Sequence, residues 1–446
     1  MATRSVRDSH VAFASVTFDA DFKIYYDNTM SQLWTSFNPM LDWLQKEGRV
    51  KTVKPVGKYI QFPVEQALTS GAVAAGEGDT LPTAVNSSMV QGKVDYQKGF
   101  KGRISLSEEA MLWGKKGDGA FADVLEQEMR CNVAVLKNLA GAAVWGVGDG
   151  MLAKSASVST TTWTITSSET YAAYNPGTRL LWEGLKFENV TAGATNVWTD
   201  DVGPGIISAI TADTTFTTTT DISAGMAAGY VTTYEGGYTT AVASSSRWPA
   251  GIKGIVDDGT FSDDASLNLN VDPAFGCCGL IVSSYPGWKA VKSHNSGTLR
   301  DISTDLIYQM YFKVGKKNGT LSPKLTSWTN PDVFREFLAL LEPQVQYQAR
   351  KLNAGFNEQD IMINGTTIPI KLDYKAPSEW FFIDPEHLTL YNSRPLGLVT
   401  VDGKSAVVSA TTTAREYRHW WAFNLGTNKR NAHGLITDLN KTITAF

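Results

Sequence analysis

The feature that most limits the possible folds of this chain is a long hairpin whose tip carries almost no bulky side chain. The tip, LTSGAVAAGEGDTLPTAVNSS at 68–88, holds three glycines, one proline and two acids, and strand-prone runs flank it at 50–66 and 89–107. Two paired strands alone are too thin to bury a hydrophobic core. The hairpin must therefore lie on another surface, either of this chain or of a neighbour.

The length and composition are typical of a folded globular protein with several hydrophobic cores. Its 446 residues exceed the usual size of one domain, and 43% are hydrophobic while 19% are charged. A net charge of -4 argues against a dedicated nucleic-acid-binding protein, which would carry a clustered basic excess. No apolar run approaches the roughly 20 residues that cross a bilayer, and no signal-peptide core is visible, so a cytoplasmic protein is expected.

Two helical patterns stand out in the first third of the chain. The run MSQLWTSFNPMLDWLQKEGRV at 30–50 places aromatic and leucine side chains three and four residues apart, which predicts an amphipathic arm. The run at 119–146 predicts a helix of about seven turns that packs one face along a sheet. Its expected apolar stripe comprises Phe121, Val124, Leu125, Glu128, Met129, Asn132, Val135, Leu136, Leu139 and Ala143.

The pattern changes between 155 and 246, where Thr, Ser, Gly and Ala dominate and short strand-like fragments alternate with turn signals. This stretch predicts a small all-β insertion. Beyond it we expect a helix from Leu299 to Val314 and another capped by Asn330 with Pro331 in its first turn. An Asn364-Gly365 turn should join two strands into a hairpin.

No sequence motif for catalysis, nucleotide binding or metal binding matches its established pattern. The P-loop-like GLVTVDGKS at 397–405 has the wrong glycine spacing, and the five histidines lie far apart without any known catalytic pattern. The acids Asp257, Asp258, Asp263 and Asp264 do not match a calcium loop and are interpreted as a solvated loop. Cys131, Cys277 and Cys278 are interpreted as buried free thiols. We therefore predict no enzyme, no cofactor and no metal site.

The order of the remaining segments resembles that of the major capsid proteins of tailed bacteriophages, a fold shared with herpesvirus shells and encapsulins. The resemblance covers most of 50–150 and 247–440. It rests on AAGEGDTLPTA (74–84), KGFKGRISLSEEAM (98–111), PAGIKGIVDDG (249–259), SSYPGWKA (283–290), NPDVFREFLALL (330–341), INGTTIPIKLDYKAPSEWFFIDPEHLTLY (363–391) and NKRNAHGLITDL (428–439).

The resemblance implies an α+β capsid fold with an inserted β-rich domain. The long helix would be the spine of a peripheral domain, and an axial domain would surround the fivefold and sixfold positions of a shell, returning through YRHWWAFNLG at 417–426. The implied parts are an N-terminal arm (1–50), an extended loop (51–107), a peripheral domain (108–154 and 247–329), the insertion (155–246), and an axial domain with the C-terminal return (330–446).

The resemblance also implies which side chains meet a neighbouring subunit. The extended loop would lie over that neighbour, and its pliable tip would adapt to non-equivalent positions. Expected contacts of the loop are Lys58, Glu65, Glu77, Asp79, Lys98 and Arg103, and those of the axial domain are Arg394, Asp402 and Lys404.

The function implied is that of a shell subunit enclosing the double-stranded DNA of a tailed phage, located in the virion and assembled in the bacterial cytoplasm. Its partners would be other copies in pentamers and hexamers, a portal, a separate scaffolding protein and a decoration protein, with weak contact to DNA and none to membranes. Two alternatives stay open: an encapsulin-like compartment that loads enzymes, and a carbohydrate-binding adhesin suggested by the Thr-rich strands and the 13 tryptophans.

Overall fold

The computed structural model contains two β-sheets, a closed β-barrel and a separate two-stranded hairpin, with helices packed on both faces of the larger sheet. The α+β class expected from the sequence is confirmed. The residues described are 38–53, 59–67, 72, 74–80, 83, 86–95, 98–108, 124–148, 150–165, 177–192, 198–212, 214–221, 230–233, 248–259, 277–341, 360–400, 406–408 and 414–440.

Two of the helices begin where the sequence supplies a capping side chain. The Asn330 side chain accepts a hydrogen bond from the Asp332 backbone N–H at 2.9 Å, as its predicted capping role requires. The predicted helix from Leu299 starts later, because the Ser303 hydroxyl caps it. The helices of the described residues are α1 Pro39–Lys46, α2 Val124–Trp145, α3 Ile252–Ile255, α4 Thr304–Asn318 and α5 Pro331–Leu341.

The strands of the described residues are numbered along the chain. They are β1 Val50–Thr52, β2 Tyr59–Ala67, β3 Ser88–Asp95, β4 Gly99–Ser107, β5 Met151–Ser159, β6 Thr162–Ile165, β7 Lys186–Ala192, β8 Trp198–Ala212, β9 Thr215–Thr218, β10 Tyr230–Thr233, β11 Val291–Ser293, β12 Thr326–Thr329, β13 Asp360–Ile363, β14 Thr366–Leu372, β15 Trp380–Ile383, β16 Leu388–Leu398, β17 Ala406–Val408, β18 Ala414–Thr427 and β19 Gly434–Ile436.

The six-stranded sheet has the order β11-β19-β15-β12-β14-β13, and its strands β12, β15 and β19 are buried on both faces. Successive side chains of strand β15 point to opposite faces of the sheet. Trp380 and Phe382 join the core beneath α4 and α5, whereas Phe381 and Ile383 join the core on the opposite face. On that opposite face the rings of Trp145 and Phe381 lie 5.4 Å apart. Helices α1 and α2 therefore cover one face, and α4 and α5 cover the other.

The predicted N-terminal arm, 1–50, is described only from Asn38, and this part packs on its own chain. Helix α1 buries Met40, Leu41, Trp43 and Leu44 in the core. The Trp43 ring lies 5.5 Å from that of Trp328 in β12. Residues 38–46 are consequently part of the body of the protein and do not form an arm; Leu33, Trp34 and Phe37 fall outside the described residues.

The five-stranded sheet corrects two predicted boundaries. Its order is β1-β16-β18-β17, with β4 paired to β18. Strands β1 and β4, assigned to the extended loop, belong to this sheet. Residues 417–426, assigned to the axial domain, pair with β4 and β16 and not with any strand of the six-stranded sheet. Pairing between distant segments, which local patterns do not encode, decides both assignments.

Six strands from 151 to 233 close into a barrel of order β10-β5-β6-β9-β8-β7. Its core contains three aromatic rings: Trp163 stacks on Phe216 at 5.6 Å, and Phe187 meets Trp163 edge-on at 5.1 Å. The barrel starts four residues before the predicted insertion, and Met151 pairs directly with Thr232. The two ends of the barrel segment therefore lie side by side.

Helix α2 is buried mainly in its second half. Leu136 and Ala143 of the predicted stripe are buried, but Val135 is 43% exposed, and Met129 is half-buried. The predicted extension back to Gly119 and Phe121 falls outside the described residues. The predicted stripe is therefore correct towards the C-terminus and wrong at Glu128 and Val135, which are exposed.

A buried polar junction joins α3 to the six-stranded sheet. The ammonium of Lys253 in α3 contacts both carboxylate oxygens of Glu379, which precedes β15. The Arg430 guanidinium donates from Nε to the carbonyl of Ile255 at 2.8 Å and is fully buried. Burial lowers the pKa of Lys253, while the Glu379 carboxylate opposes that shift. Each charge has a partner, as buried charges require.

Candidate inter-subunit surface

The hairpin of β2 and β3 leaves the body as a separate two-stranded ribbon. Its register runs from Tyr59 opposite Asp95 to Ala67 opposite Ser88, and neither strand pairs with any other described strand. The close crossing of the two strands depends on Gly92, because a Cβ there would lie 2.4 Å from the Phe62 ring. All described residues of the tip, from 72 to 87, are exposed. Within one chain, this tip lacks a surface to rest on among the described residues.

The base of the hairpin, in contrast, is fastened to the body. The backbone N–H of Lys93 donates to the carbonyl of Cys278 at 2.7 Å. The Asn424 amide donates to the carbonyl of Asp95 at 2.7 Å, and its oxygen accepts from Ala250 N–H at 2.6 Å. Val94 is buried in the main core. A fixed base and an uncovered tip are the geometry expected of an element that reaches beyond its own chain.

The predicted acidic contacts of the hairpin occupy two kinds of position. Glu65 on β2 and Glu77 in the tip are exposed and available to a neighbour. Asp79 is exposed too, but its carboxylate accepts a hydrogen bond from Gly76 N–H at 2.5 Å and so shapes the local turn. Lys58 lies outside the described residues.

Lys98 does not lie on the hairpin surface as predicted. It is 2% exposed, inside the subunit, close to Asp95 and Cys278. Burial lowers its pKa to about 8, and the nearby Asp95 carboxylate opposes the shift. A side chain that is enclosed by its own chain is not available to a neighbour, so the prediction for Lys98 is wrong for this conformation. Cys278, one of its charged neighbours, is remote in sequence.

Arg103 lies on β4 in the five-stranded sheet, beyond the hairpin itself. Its side chain is 69% exposed, and Nη1 lies 3.7 Å from the carboxylate of Glu416 on β18. An exposed ion pair of this kind contributes only about 0–1 kcal/mol. The exposed Arg103 side chain can therefore contact another chain, although its charge lies near the carboxylate of Glu416.

Of the predicted axial contacts, only Arg394 falls within the described residues; Asp402 and Lys404 do not. Arg394 lies on β16, and its guanidinium stacks over the Trp420 ring with 4.9 Å between the guanidinium carbon and the ring centre. Lys101 of β4 lies over the same ring at 5.0 Å. These three side chains form a basic and aromatic surface on the five-stranded sheet, not on the six-stranded one.

A groove that the sequence reasoning did not identify runs between the hairpin and the body. It has a volume of about 540 Å³. Strand β2 forms one wall with Val64 and Glu65, and a turn at Pro286–Trp288 forms the other. The segment SSYPGWKA, which contributed to the family resemblance, contains this turn. Its Pro-Gly-Trp sequence was the available signal for an ordered turn at the surface.

The start of the acidic loop is not solvated. Asp257 is fully buried, its carboxylate 2.9 Å from the Lys292 ammonium and 3.9 Å from the Arg430 guanidinium. Asp258 lies 3.5 Å from Lys292 as well, whereas Asp263 and Asp264 fall outside the described residues. Across the described part of the chain, no group of three or more potential metal ligands is found. No helix in that part is long and apolar enough to span a membrane.

No protein-family model and no curated protein matches the sequence. Among solved structures, a chain of the cyanophage A-1(L) capsid asymmetric unit superposes with a TM-score of 0.53 at 12% identity, over 95% of this chain and 99% of that chain. The chain has the fold of a phage capsid protein. The capsid of a native GTA particle follows with a TM-score of 0.47 at 8% identity, covering 98% and 100% of the two chains. A Mycobacterium phage Che8 chain gives 0.43 at 8% identity, covering 94% and 97%.

The capsid fold confirms, at the level of architecture, the likeness seen in the order of sequence segments. A projecting hairpin, a long helix and a large mixed sheet follow one another in the expected sequence. At 12% identity, the role of a residue in the cyanophage chain cannot be assigned to a position of this chain.

Proposed function

We propose that the chain is a structural subunit that assembles into the icosahedral shell of a tailed phage and encloses its double-stranded DNA. The observation that carries this proposal is the shared capsid fold, which extends over nearly the full length of both compared chains. A hairpin anchored at its base and uncovered at its tip supports it, because such an element gains a surface only from a neighbour. The role proposed is structural and not enzymatic.

In the proposed shell, the hairpin lies over the adjacent subunit. Glu65, Glu77 and Asp79 then face basic groups of that neighbour, Lys58 lies on its surface, and Arg103 contacts the neighbour from the sheet below. Arg394, stacked on Trp420, is proposed as a further contact, together with Asp402 and Lys404. Such exposed pairs are individually weak, but they recur at every subunit contact of the shell.

The other parts have proposed places as well. The barrel at 151–233 projects from the outer surface, because its described strands pair only with one another and its two ends lie together. The shell would work with a portal, a separate scaffolding protein and a decoration protein. It would touch DNA only weakly, in keeping with its net charge of -4. The protein would be located in the virion after assembly in the host cytoplasm.

Isolation of native particles tests this function. Particles that contain the chain would be purified, treated with nuclease, and then opened with protease. Double-stranded DNA that survives the nuclease and is released by opening supports a genome-enclosing shell. Closed particles that hold a co-purifying enzyme and no DNA would instead identify a protein compartment and overturn the proposal.

A further inference from the structure

Two adjacent cysteines form a strained turn beneath the base of the hairpin. Leu280 N–H donates to the carbonyl of Cys277 at 3.2 Å and closes the turn, with Cys278 and Gly279 at its centre. Their φ angles are 55° and 79°, so Cys278 adopts a left-handed conformation that residues other than glycine seldom take. Strain of this kind is retained at functional positions more often than elsewhere.

The two thiols lie within reach of each other. The Sγ atoms of Cys277 and Cys278 are 3.9 Å apart, and the Cys277 thiol donates to the Cys278 sulfur. Both side chains are buried, at 1% and 5% exposure. Cys131, the third cysteine, is free and half-buried. In such an adjacent pair, one thiol can react with an oxidant, and the second can then attack the oxidised sulfur to form a disulfide.

The surroundings of Cys278 favour its thiolate. The hydrogen bond from Cys277 lowers the pKa of the Cys278 thiol, the Thr427 backbone N–H and the Arg430 and Lys98 cations lower it further, and burial opposes them. Both cations are enclosed, at 2% exposure for Lys98 and 0% for Arg430. Nearby cations and hydrogen-bond donors of this kind lower the pKa of reactive cysteines.

A small cavity adjoins the pair. Its volume is about 10 Å³, and Val94, Asn424 and Leu425 line it beside the two cysteines. A space of this size holds about one water molecule. Hydrogen peroxide, with two oxygens, is the oxidant nearest to this size, whereas a tripeptide disulfide such as oxidised glutathione is far too large.

We propose that Cys277 and Cys278 form a redox-active pair that hydrogen peroxide converts to a vicinal disulfide. The Cys278 thiolate attacks one peroxide oxygen, the O–O bond breaks, and the departing hydroxide takes a proton to leave as water. The Cys277 sulfur then attacks the sulfur of the resulting sulfenic acid. An S–S bond forms, the S–O bond breaks, and a second water leaves with the Cys277 proton. Two electrons pass from the thiols to the peroxide.

Oxidation of this pair would act on the hairpin. The carbonyl of Cys278 accepts the Lys93 N–H that fastens β3 to the body, and a Cβ at Gly279 would come within 3.3 Å of the Lys93 Cβ. Closing an eight-membered ring across the Cys277–Cys278 peptide reorients this turn. Whether the two sulfurs are reduced thiols or a disulfide therefore determines how the base of the hairpin is attached to the body.

The test compares the three thiols of the intact full-length chain. The folded protein is exposed to a limited amount of hydrogen peroxide, then denatured, alkylated and mapped by mass spectrometry. We expect the 277–278 peptide to lose two hydrogens and to resist alkylation before Cys131 reacts, although Cys131 is the more exposed thiol. In Cys277→Ser, a sulfenic-acid trap should label Cys278. Hydrogen exchange of the Lys93 amide should become faster after oxidation.

Two lysine variants separate the electrostatic cause from general reactivity. Lys98→Met, which removes the buried cation at similar volume, should slow oxidation of Cys278 several-fold. Lys101→Met, on the exposed surface of β4, should leave the rate unchanged. The proposal is overturned if Cys131 oxidises first while Cys277 and Cys278 stay reduced, or if both lysine variants behave as wild type. A disulfide that forms without any change at the Lys93 amide would overturn its link to the hairpin.

Discussion

At the scale of single residues, the buried His433 couples stability to pH. Its Nδ1 accepts from the Asp384 backbone N–H at 3.2 Å, and its Nε2 lies 3.2 Å from the Thr427 hydroxyl. Burial lowers the pKa of His433 from 6.5 to about 3, assisted by His387 and Arg430. The unfolded chain therefore binds this proton at a higher pH than the folded chain does, so the folded state loses stability as pH falls.

The free energy of unfolding should fall between about pH 6.5 and pH 3 by about 1.4 kcal/mol per pH unit from this side chain. His433→Gln should remove that part of the pH dependence. Urea unfolding of both proteins at pH 7 and pH 5 measures it. Equal losses of stability in wild type and variant would show that His433 does not cause the effect.

Neighbouring positions on α2 provide a second test at this scale. Leu136 is 2% exposed and Val135 is 43% exposed. Leu136→Ala should lower the free energy of unfolding by about 2–5 kcal/mol, because it leaves a cavity in the core. Val135→Ala, the matched control, should change it by less than about 0.5 kcal/mol. Denaturant unfolding checks both values; similar effects of the two variants would contradict the assignment of the buried face of α2.

At the scale of elements, the hairpin joins an anchored base to an uncovered tip. Deleting residues 71–86 should leave the thermal unfolding of the isolated subunit nearly unchanged, since the described tip residues are exposed and add little to the core. The yield of closed particles should fall, because contacts with the neighbour are lost. Differential scanning calorimetry and sedimentation measure the two effects.

Limited proteolysis provides the control for this deletion. The tip should be cleaved rapidly in free subunits and slowly in assembled particles, where the neighbour covers it. Equal cleavage rates in both states, together with normal assembly of the deletion variant, would exclude a role of the tip between subunits.

The barrel is the second element with a defined test. Met151 and Thr232 are direct partners in the sheet, so a short Gly/Ser linker in place of residues 152–231 needs to span only neighbouring strands. The remaining chain should stay soluble and unfold in a single cooperative transition. Circular dichroism during heating checks this, and loss of a cooperative transition would mean that the barrel and the main core fold together.

How far the sequence predicts these elements depends on whether the signal is local. The cap at Asn330 and the turn at Asn364, whose φ of 49° is followed by 75° at Gly365, were predictable because a few adjacent residues determine them. The burial of Lys98 and Asp257 was not, since the residues that enclose them come from distant segments. The same reason explains the misplacement of 417–426, whose partners on β4 are over 300 positions away.

At the scale of the whole molecule, the structure combines a body that is well packed with surfaces that are not covered by the described residues. Tryptophans 43, 145 and 328 lie together where α1 and α2 meet the six-stranded sheet. The hairpin, the surface around Arg394 and Trp420, and the groove beside β2 lie outside that core. A rigid body with several uncovered surfaces suits a subunit that must contact several neighbours in a closed assembly.

Electron microscopy of the purified full-length chain tests this account most directly. The protein would be concentrated, separated by sedimentation, and imaged in its fast-sedimenting and slow-sedimenting fractions. We expect closed shells of uniform diameter in the fast fraction, in which the hairpin of each subunit lies over an adjacent one. A chain that stays monomeric or forms only irregular aggregates, both at high concentration and in the presence of scaffolding protein from its source, would contradict its proposed role as a shell subunit.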